Sequence, residues 1–355
     1  MANIKSKMNN SIKTAITSFG MSGLVFHGPT LKVNPGFEIT CVLERSKNLS
    51  KKLFPDATIV RSYEEILDNP EIELIIVNTP DKLHYEMVTQ ALLSDKHVVV
   101  EKPIALNSVQ ALELVNLARE KGLVFTVYQN RRWDGDFRTV QKILKGKKMG
   151  RLIEFESHYD RYRTFITPET WKEEGDEFAG VLFNLGSHMV DQVFVLFGKP
   201  SAVTAHLKIV RSGGAVNDYY DIRLEYEGFS AIVKCSYLVK NPGPRYSIYG
   251  EFGTFYKWGI DPQEELLKAG NLPVGKDWGK EPESEWGTLL YQKNGVDFKE
   301  KIETLPGNYN LFYNNVYDAI RNNAEFFVKP EEAVEVLKIL EACLLSNRKK
   351  QTVYL

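Results

Sequence analysis

The chain has 355 residues, 43% of them hydrophobic and 26% charged, with 45 lysines and arginines against 46 aspartates and glutamates for a net charge of −1. That length exceeds what one hydrophobic core organises, since domains typically run ~50–250 residues, so two domains are expected. The even charge balance argues against a phosphate-tracking nucleic-acid binder, and the average composition against a disordered or fibrous chain.

The longest apolar runs, Leu74–Val77, Val98–Val100 and Val193–Phe197, fall far short of the ~20 residues of a membrane helix, so no membrane partner is expected. Met1–Ser11 is polar and lacks the apolar core of a secretory signal, which predicts a cytoplasmic protein. Cys41, Cys235 and Cys343 form no C-x-x-C pair, so neither a disulfide framework nor a metal site is expected.

From Ile12 to about Asn130, short β-branched runs alternate with helical patterns, the mark of a parallel sheet with crossover helices. Strands are predicted at Lys13–Thr17, Glu38–Leu43, Thr58–Val60, Leu74–Asn78, His97–Val100 and Val124–Val127. Helices fall between them around Gly23–Val33, Leu49–Leu53, Tyr63–Leu67, Tyr85–Ser94 and Ser108–Lys121, the last with Ser108 as N-cap and Gly122 as C-cap. After Gly150 longer strands with period-two alternation follow at Leu152–Tyr162, Ala202–Val210, Tyr220–Tyr226, Ala231–Tyr237 and Arg245–Gly250, predicting an antiparallel sheet. A helix over about Asn184–Phe197 interrupts them, and Tyr309–Asn322 and Glu331–Ser346 close the chain. Asp261–Gly295 has no steady periodicity and reads equally as a surface insertion, a lid or an oligomer contact. The aromatic strip Phe312, Tyr313 and Tyr317 reads as core.

The first strand runs into Ser18-Phe19-Gly20-Met21-Ser22-Gly23 and then an apolar helix, the setting in which a G-x-G-x-x-G fingerprint carries meaning. Gly20 would admit a pyrophosphate, Gly23 would let helix and strand pack closely, and N–H groups at the helix start, from Met21 and Ser22 onward, would bind phosphates. Ser18 fills the first glycine slot and is expected to strain the turn. About twenty residues on, Glu44 is placed to accept from the adenosine ribose hydroxyls and repel a 2′-phosphate, which favours NAD. Arg45, Ser46 and Lys47 follow at once and would hold that phosphate if Glu44 turns away, so NADP stays open.

Asn78-Thr79-Pro80 with His84, and Glu101-Lys102-Pro103, lie after the fourth and fifth strands, at the carboxyl ends where open α/β sheets bind ligands. With the fingerprint and Gly186-Ser187-His188-x-x-Asp191, the chain resembles the Gfo/Idh/MocA oxidoreductases over nearly its whole length. It is most similar to the scyllo-inositol dehydrogenase-like members through Val25-Phe26-His27-Gly28-Pro29, Tyr128-Gln129-Asn130-Arg131-Arg132-Trp133-Asp134, Leu185-Gly186-Ser187-His188 and Gly243-Pro244-Arg245-Tyr246. The resemblance implies a fold of α/β plus α+β: a doubly wound Rossmann domain over residues 1–130, then a C-terminal domain over 131–355 with a large, mostly antiparallel open sheet. The C-terminal helix could return to the first domain.

The resemblance also implies nicotinamide-dependent oxidation or reduction of a cyclitol or sugar. Lys102 then meets the substrate hydroxyl, His188 exchanges its proton, and Thr79, Pro80, His84 and Glu101 join the cofactor residues. The Lys102–Pro103 bond could be cis. Asn184 stands where the family commonly has an aspartate, so Lys102 and His188 divide the proton work or Asp191 supplies the charge. Helical spacing i, i+4, i+7 puts Asn184, His188 and Asp191 on one face. Asn130, Arg132 and Trp133, with Arg163 opposite, suit a polyol, although each arginine reads equally as an ion-pair partner. A glycosidase or dehydratase with bound NAD, and a nonenzymatic dinucleotide sensor, are the alternatives. An open sheet with apolar strands facing water predicts a homo-oligomer through the C-terminal sheet.

Overall fold

A computed structural model of the chain describes residues 10–168, 170, 173, 175 and 178–355; residues 1–9 of the polar segment Met1–Ser11 lie outside them. The described residues form two compact units: those up to 134 with 262–279 and 307–334, and those of 135–261 with 280–306 and 335–355.

The first unit holds six strands, β1 Ile12–Ile16, β2 Phe37–Leu43, β3 Thr58–Val60, β4 Leu74–Val77, β5 His97–Val100 and β6 Phe125–Val127. They pair in parallel in the order β3-β2-β1-β4-β5-β6, the doubly wound arrangement whose order reverses between β1 and β4. Leu74 to Val77 and Val98 to Val100 have no exposed surface, because helices cover a parallel sheet on both faces and select continuous apolar runs. The helix Ser108–Lys121 ends at Gly122 in the left-handed region (φ 64°), but its cap is Asn107, not Ser108. Asn107 is extended and its side chain accepts from the Gln110 N–H, while Ser108 is already helical.

The second unit holds a mixed, mostly antiparallel nine-stranded sheet built from β7 Leu152–His158, β8 Ala202–Lys208, β9 Tyr219–Tyr226, β10 Phe229–Ser236, β11 Tyr246–Gly250, β12 Gly253–Lys257, β13 Gly287–Lys293, β14 Val296–Ile302 and β15 Val353–Tyr354. One pair, β7 with β10, is parallel. Alternation sends Phe155, Ala205, Ile222, Val233, Ile248 and Phe255 into the core. The helix Ser187–Phe197 packs on that face, with Phe197 edge-on to Phe155 at 5.4 Å. The opposite face differs from the apolar surface expected of it. Arg223 pairs with Glu154 and Lys234 with Asp221, while Glu156, His158, Tyr249 and Tyr256 fill the neighbouring positions. Charged and tyrosine side chains can face water from an antiparallel sheet.

The aperiodic stretch Asp261–Gly295 divides between the units. The helix Gln263–Lys268 joins the first, where the Trp278 indole donates to Gln263 Oε1 at 3.2 Å, and β13 begins a hairpin in the second. Among the described residues no helix is long and apolar enough to cross a membrane.

Candidate functional site

The fingerprint turn leaves β1 at the switch point. No residue from 18 to 23 has a positive φ, so Ser18 stands in the first glycine slot without the strain expected of it. Glycine matters here for space. A Cβ on Gly20 meets nothing nearer than Ser18 Oγ at 3.8 Å, which leaves its approach open to a phosphate group, whereas a Cβ on Gly23 would lie 2.5 Å from the Ser18 carbonyl oxygen. That carbonyl also accepts from Asn78 Nδ2 at 2.8 Å. Met21 is exposed, and the helix that follows begins as a π turn, Ser22–His27, before continuing as Gly28–Val33.

Glu44 directly follows β2 and is buried. Its carboxylate accepts from the N–H groups of Leu49 and Ser50, at 2.8 and 2.9 Å, and from Ser50 Oγ at 2.6 Å. Burial works to raise its pKa, but these bonds and the Arg61 charge outweigh it and hold the group below its usual value. The acid thus caps the short 3-10 turn Leu49–Lys52. Arg61 fixes the loop from the other side through the Glu44 and Lys47 carbonyls and Asn48 Oδ1. Arg45, Ser46 and Lys47 between these anchors are exposed.

The turns after β4 and β5 are tied together by His84, whose ring nitrogens lie 2.9 Å from the Thr79 carbonyl and 2.7 Å from that of Pro103. The Lys102–Pro103 peptide is cis. Glu101 Oε1 accepts from Ser22 Oγ at 2.5 Å and lies 3.1 Å from His27 Nε2, while Oε2 accepts from the Lys102 N–H at 3.1 Å. Burial opposes ionisation of this carboxyl, yet the bonds from His27 and Ser22 and the neighbouring Lys102 charge prevail and hold it at about 2. The turn therefore presents Lys102 beside an ionised carboxylate.

Asn130–Trp133 form a buried 3-10 turn after β6. Arg132 donates to the Phe327 carbonyl at 2.9 Å and to Glu332 at 2.6 Å, and Arg131 pairs with Asp134 and Glu264. Both guanidiniums thus serve as ion-pair partners inside the first unit. Trp133 packs edge-on against Phe312 at 5.7 Å.

In the second unit Asn184 lies in a π turn, Leu182–Gly186, and His188 and Asp191 in the α-helix after it, both buried. The single 3.6-residue repeat assumed from Asn184 to Asp191 is therefore broken, and only His188 and Asp191 share a regular helical register. Arg163 donates to Thr167 Oγ1 at 2.8 Å. Nearby, Arg211 bridges Glu173 and Asp218 at 2.6 and 2.8 Å, all three buried. The sequence did not single out this cluster, since its members come from distant segments.

Two further residues carry no local signal of a role in the sequence. His27 lay inside a family string with no role attached, and Tyr313 lay in a strip read as core. Tyr313 is core, but its hydroxyl lies 2.5 Å from His27 Nδ1.

The chain matches the family model for the oxidoreductase NAD-binding Rossmann fold over residues 12–129, and that for the oxidoreductase C-terminal alpha/beta domain over residues 141–355. It is 37% identical over 346 residues to the scyllo-inositol 2-dehydrogenase (NADP(+)) IolW of Bacillus subtilis, covering 98% of this chain and 96% of that protein. It is 32% identical to the Escherichia coli oxidoreductase YdgJ, over 98% of this chain and all (100%) of that one. The crystal structure of an oxidoreductase from Bacteroides fragilis superposes with a TM-score of 0.90 at 44% identity, covering 97% of this chain and 100% of that chain.

Proposed function

The chain belongs to the Gfo/Idh/MocA oxidoreductase family and is an NAD(P)-dependent dehydrogenase; we propose that it interconverts a secondary alcohol and a ketone on a cyclitol or sugar, with NADP as its cofactor. The observation that carries the reaction is the turn after β5, where Glu101, held ionised, sits beside Lys102 and accepts a bond from Ser22 of the fingerprint helix. The nicotinamide, when bound, accepts or gives the hydride. Lys102 stabilises the oxygen that gains negative charge as hydride leaves its carbon. His188, with Asp191 one turn on and Asn184 before it, exchanges the hydroxyl proton.

NADP is supported by the β2 loop. Glu44 spends its oxygens on Leu49 and Ser50, while Arg45, Ser46 and Lys47 are exposed and offer donors to a 2′-phosphate. A relative named for NADP and scyllo-inositol, IolW, points the same way. Gly20, Met21, Ser22, Gly23, Thr79, Pro80 and His84 complete the cofactor side. Trp133, Asn130, Arg132 and Arg163 remain the substrate-side residues, the two arginines acting through the partners that hold them. Homo-oligomerisation would use the polar, tyrosine-bearing face of the nine-stranded sheet.

The test is nicotinamide absorbance with scyllo-inositol, myo-inositol and common aldoses against NADP and NAD separately. The expected result is NADP reduction with a cyclitol, lost in Lys102→Ala. Dinucleotide binding without turnover of any pair would overturn the proposal, and light scattering decides the oligomer.

A further inference from the structure

Ser22 and His27 stand five residues apart, yet both reach the same oxygen of Glu101. On an α-helix, residues five apart are rotated by roughly 140° and cannot share a target. Here the segment is wound as a π turn, with the Gly28 N–H bonded to the Gly23 carbonyl, five residues back. In i→i+5 winding such residues return to nearly one face, so the extra residue in the turn is what lets two donors converge.

His27 is held in place on its other sides. It has no exposed surface, the Tyr128 ring lies 4.3 Å from its own, and the Tyr313 hydroxyl is 2.5 Å from Nδ1. The Tyr313 hydroxyl, buried with Tyr128 and Glu101 nearby and its pKa raised well above the usual value, holds the imidazole at Nδ1. The ionised Glu101 oxygen 3.1 Å from Nε2 can only accept, so an Nε2 proton faces the carboxylate. The titratable and charged groups around the pair are Lys102 on the Glu101 turn, Tyr128 after β6, Tyr313 on the helix Asn310–Asn322, and Asp134, which bears on Tyr128.

We propose that His27 is a positioning residue for hydride transfer: fixed by Tyr313, it acts with Ser22 to hold the Glu101 carboxylate, so that the π turn after the fingerprint sets the turn carrying Lys102. This rests on the reading of Lys102 as the group that meets the substrate oxygen. The carboxylate is the element through which His27 acts. Without the imidazole donor, burial again favours the neutral acid, and a protonated Glu101 neither accepts from both donors nor keeps a negative charge beside Lys102.

The experiment follows kcat/KM against pH for wild type, His27→Leu, His27→Gln, Tyr313→Phe and Ser22→Ala. In parallel, the Glu101 carboxyl carbon is titrated by 13C NMR, its resonance assigned through Glu101→Gln. His27→Leu should move the acid limb and the Glu101 titration upward together by about one to two pH units, costing about 10–100-fold in kcat/KM below the limb, the range for a hydrogen bond to a charged group. Gln keeps a donor toward the carboxylate and should restore most of the loss. Tyr313→Phe and Ser22→Ala should shift both readouts in the same direction by less, and they carry the test if the leucine variant does not fold. Folded variants whose acid limb and Glu101 titration overlay the wild type would overturn the assignment. Absence of turnover in the wild type would count against the proposed function alone, because the NMR titration still decides the role of His27.

Discussion

The loop after β2 makes the cofactor preference a sharp test of the geometry. The Glu44 carboxylate is occupied by three donors from Leu49 and Ser50, and Arg61 clamps the loop at Glu44, Lys47 and Asn48, leaving Arg45 exposed between the anchors. A guanidinium on a 2′-phosphate makes a charge-assisted bond, worth about 1.5–3 kcal/mol. At about 1.4 kcal/mol per tenfold, Arg45→Ala should lower kcat/KM for NADP by about 10–150-fold. Use of NAD, which has no phosphate there, should change little. The loss should shrink as salt is raised from about 0.05 to 0.5 M, because the contact is exposed and screened. Glu44→Gln should leave the NADP to NAD ratio where it was and reduce stability, since an amide offers one acceptor oxygen where the carboxylate satisfies three donors. Steady-state kinetics with both cofactors at two salt concentrations reads all of this. An unchanged ratio in Arg45→Ala, or a rise in NADP preference in Glu44→Gln, would return Glu44 to the ribose and refute the reasoning.

Gly23→Ala should abolish cofactor binding measured by fluorescence titration, because its Cβ would lie 2.5 Å from the Ser18 carbonyl and 3.1 Å from Phe19. Arg211→Met should destabilise the protein by about 3–5 kcal/mol in urea unfolding, since it leaves Glu173 and Asp218 buried without their cation. Acid should weaken the fold through Glu101 and Glu264, both held at about 2 against an ordinary 4.5, the latter by Arg131 and Lys268 against the pull of its own burial. A depressed folded pKa gives stability that is fully present above the unfolded pKa and is lost as pH falls through the folded one. Unfolding free energy should therefore drop between about pH 4.5 and 2, and less steeply in Glu264→Gln; identical slopes would contradict the assignment.

The parallel sheet was legible because burial on both faces leaves continuous β-branched runs, and β3 and β5 fall on the residues those runs predict. The strands β12 to β14 were not. Gly253–Lys257 is short and follows a tight turn, and Val296–Ile302 is a largely exposed edge strand whose alternation carries little apolar contrast. At the candidate site, the E-K-P turn and the fingerprint stood out because their residue types are local. The partners of Glu44 and Glu101 did not, because a carboxylate's destination depends on which backbone donors the fold leaves unsatisfied. Leu49 and Ser50, at the start of a short 3-10 turn, are such donors for Glu44.

Periodicity misled most where the helices leave the 3.6-residue repeat. Ser22–His27 and Leu182–Gly186, one in each unit, are π turns that run directly into α-helices. A π turn inserts one residue without changing side-chain chemistry, so composition and hydrophobic pattern carry no trace of it. Its effect is to rotate everything before the insertion against everything after it. Ser22 is brought round to His27 in the first unit, and Asn184 is taken out of the register of His188 and Asp191 in the second. Such turns are rare, appear mostly as single turns within α-helices, and are frequent at functional sites. Their position at the two segments that carry the proposed chemistry follows from that need: a regular helix can aim residues three or four apart at one target, and only the wider turn can aim residues five apart.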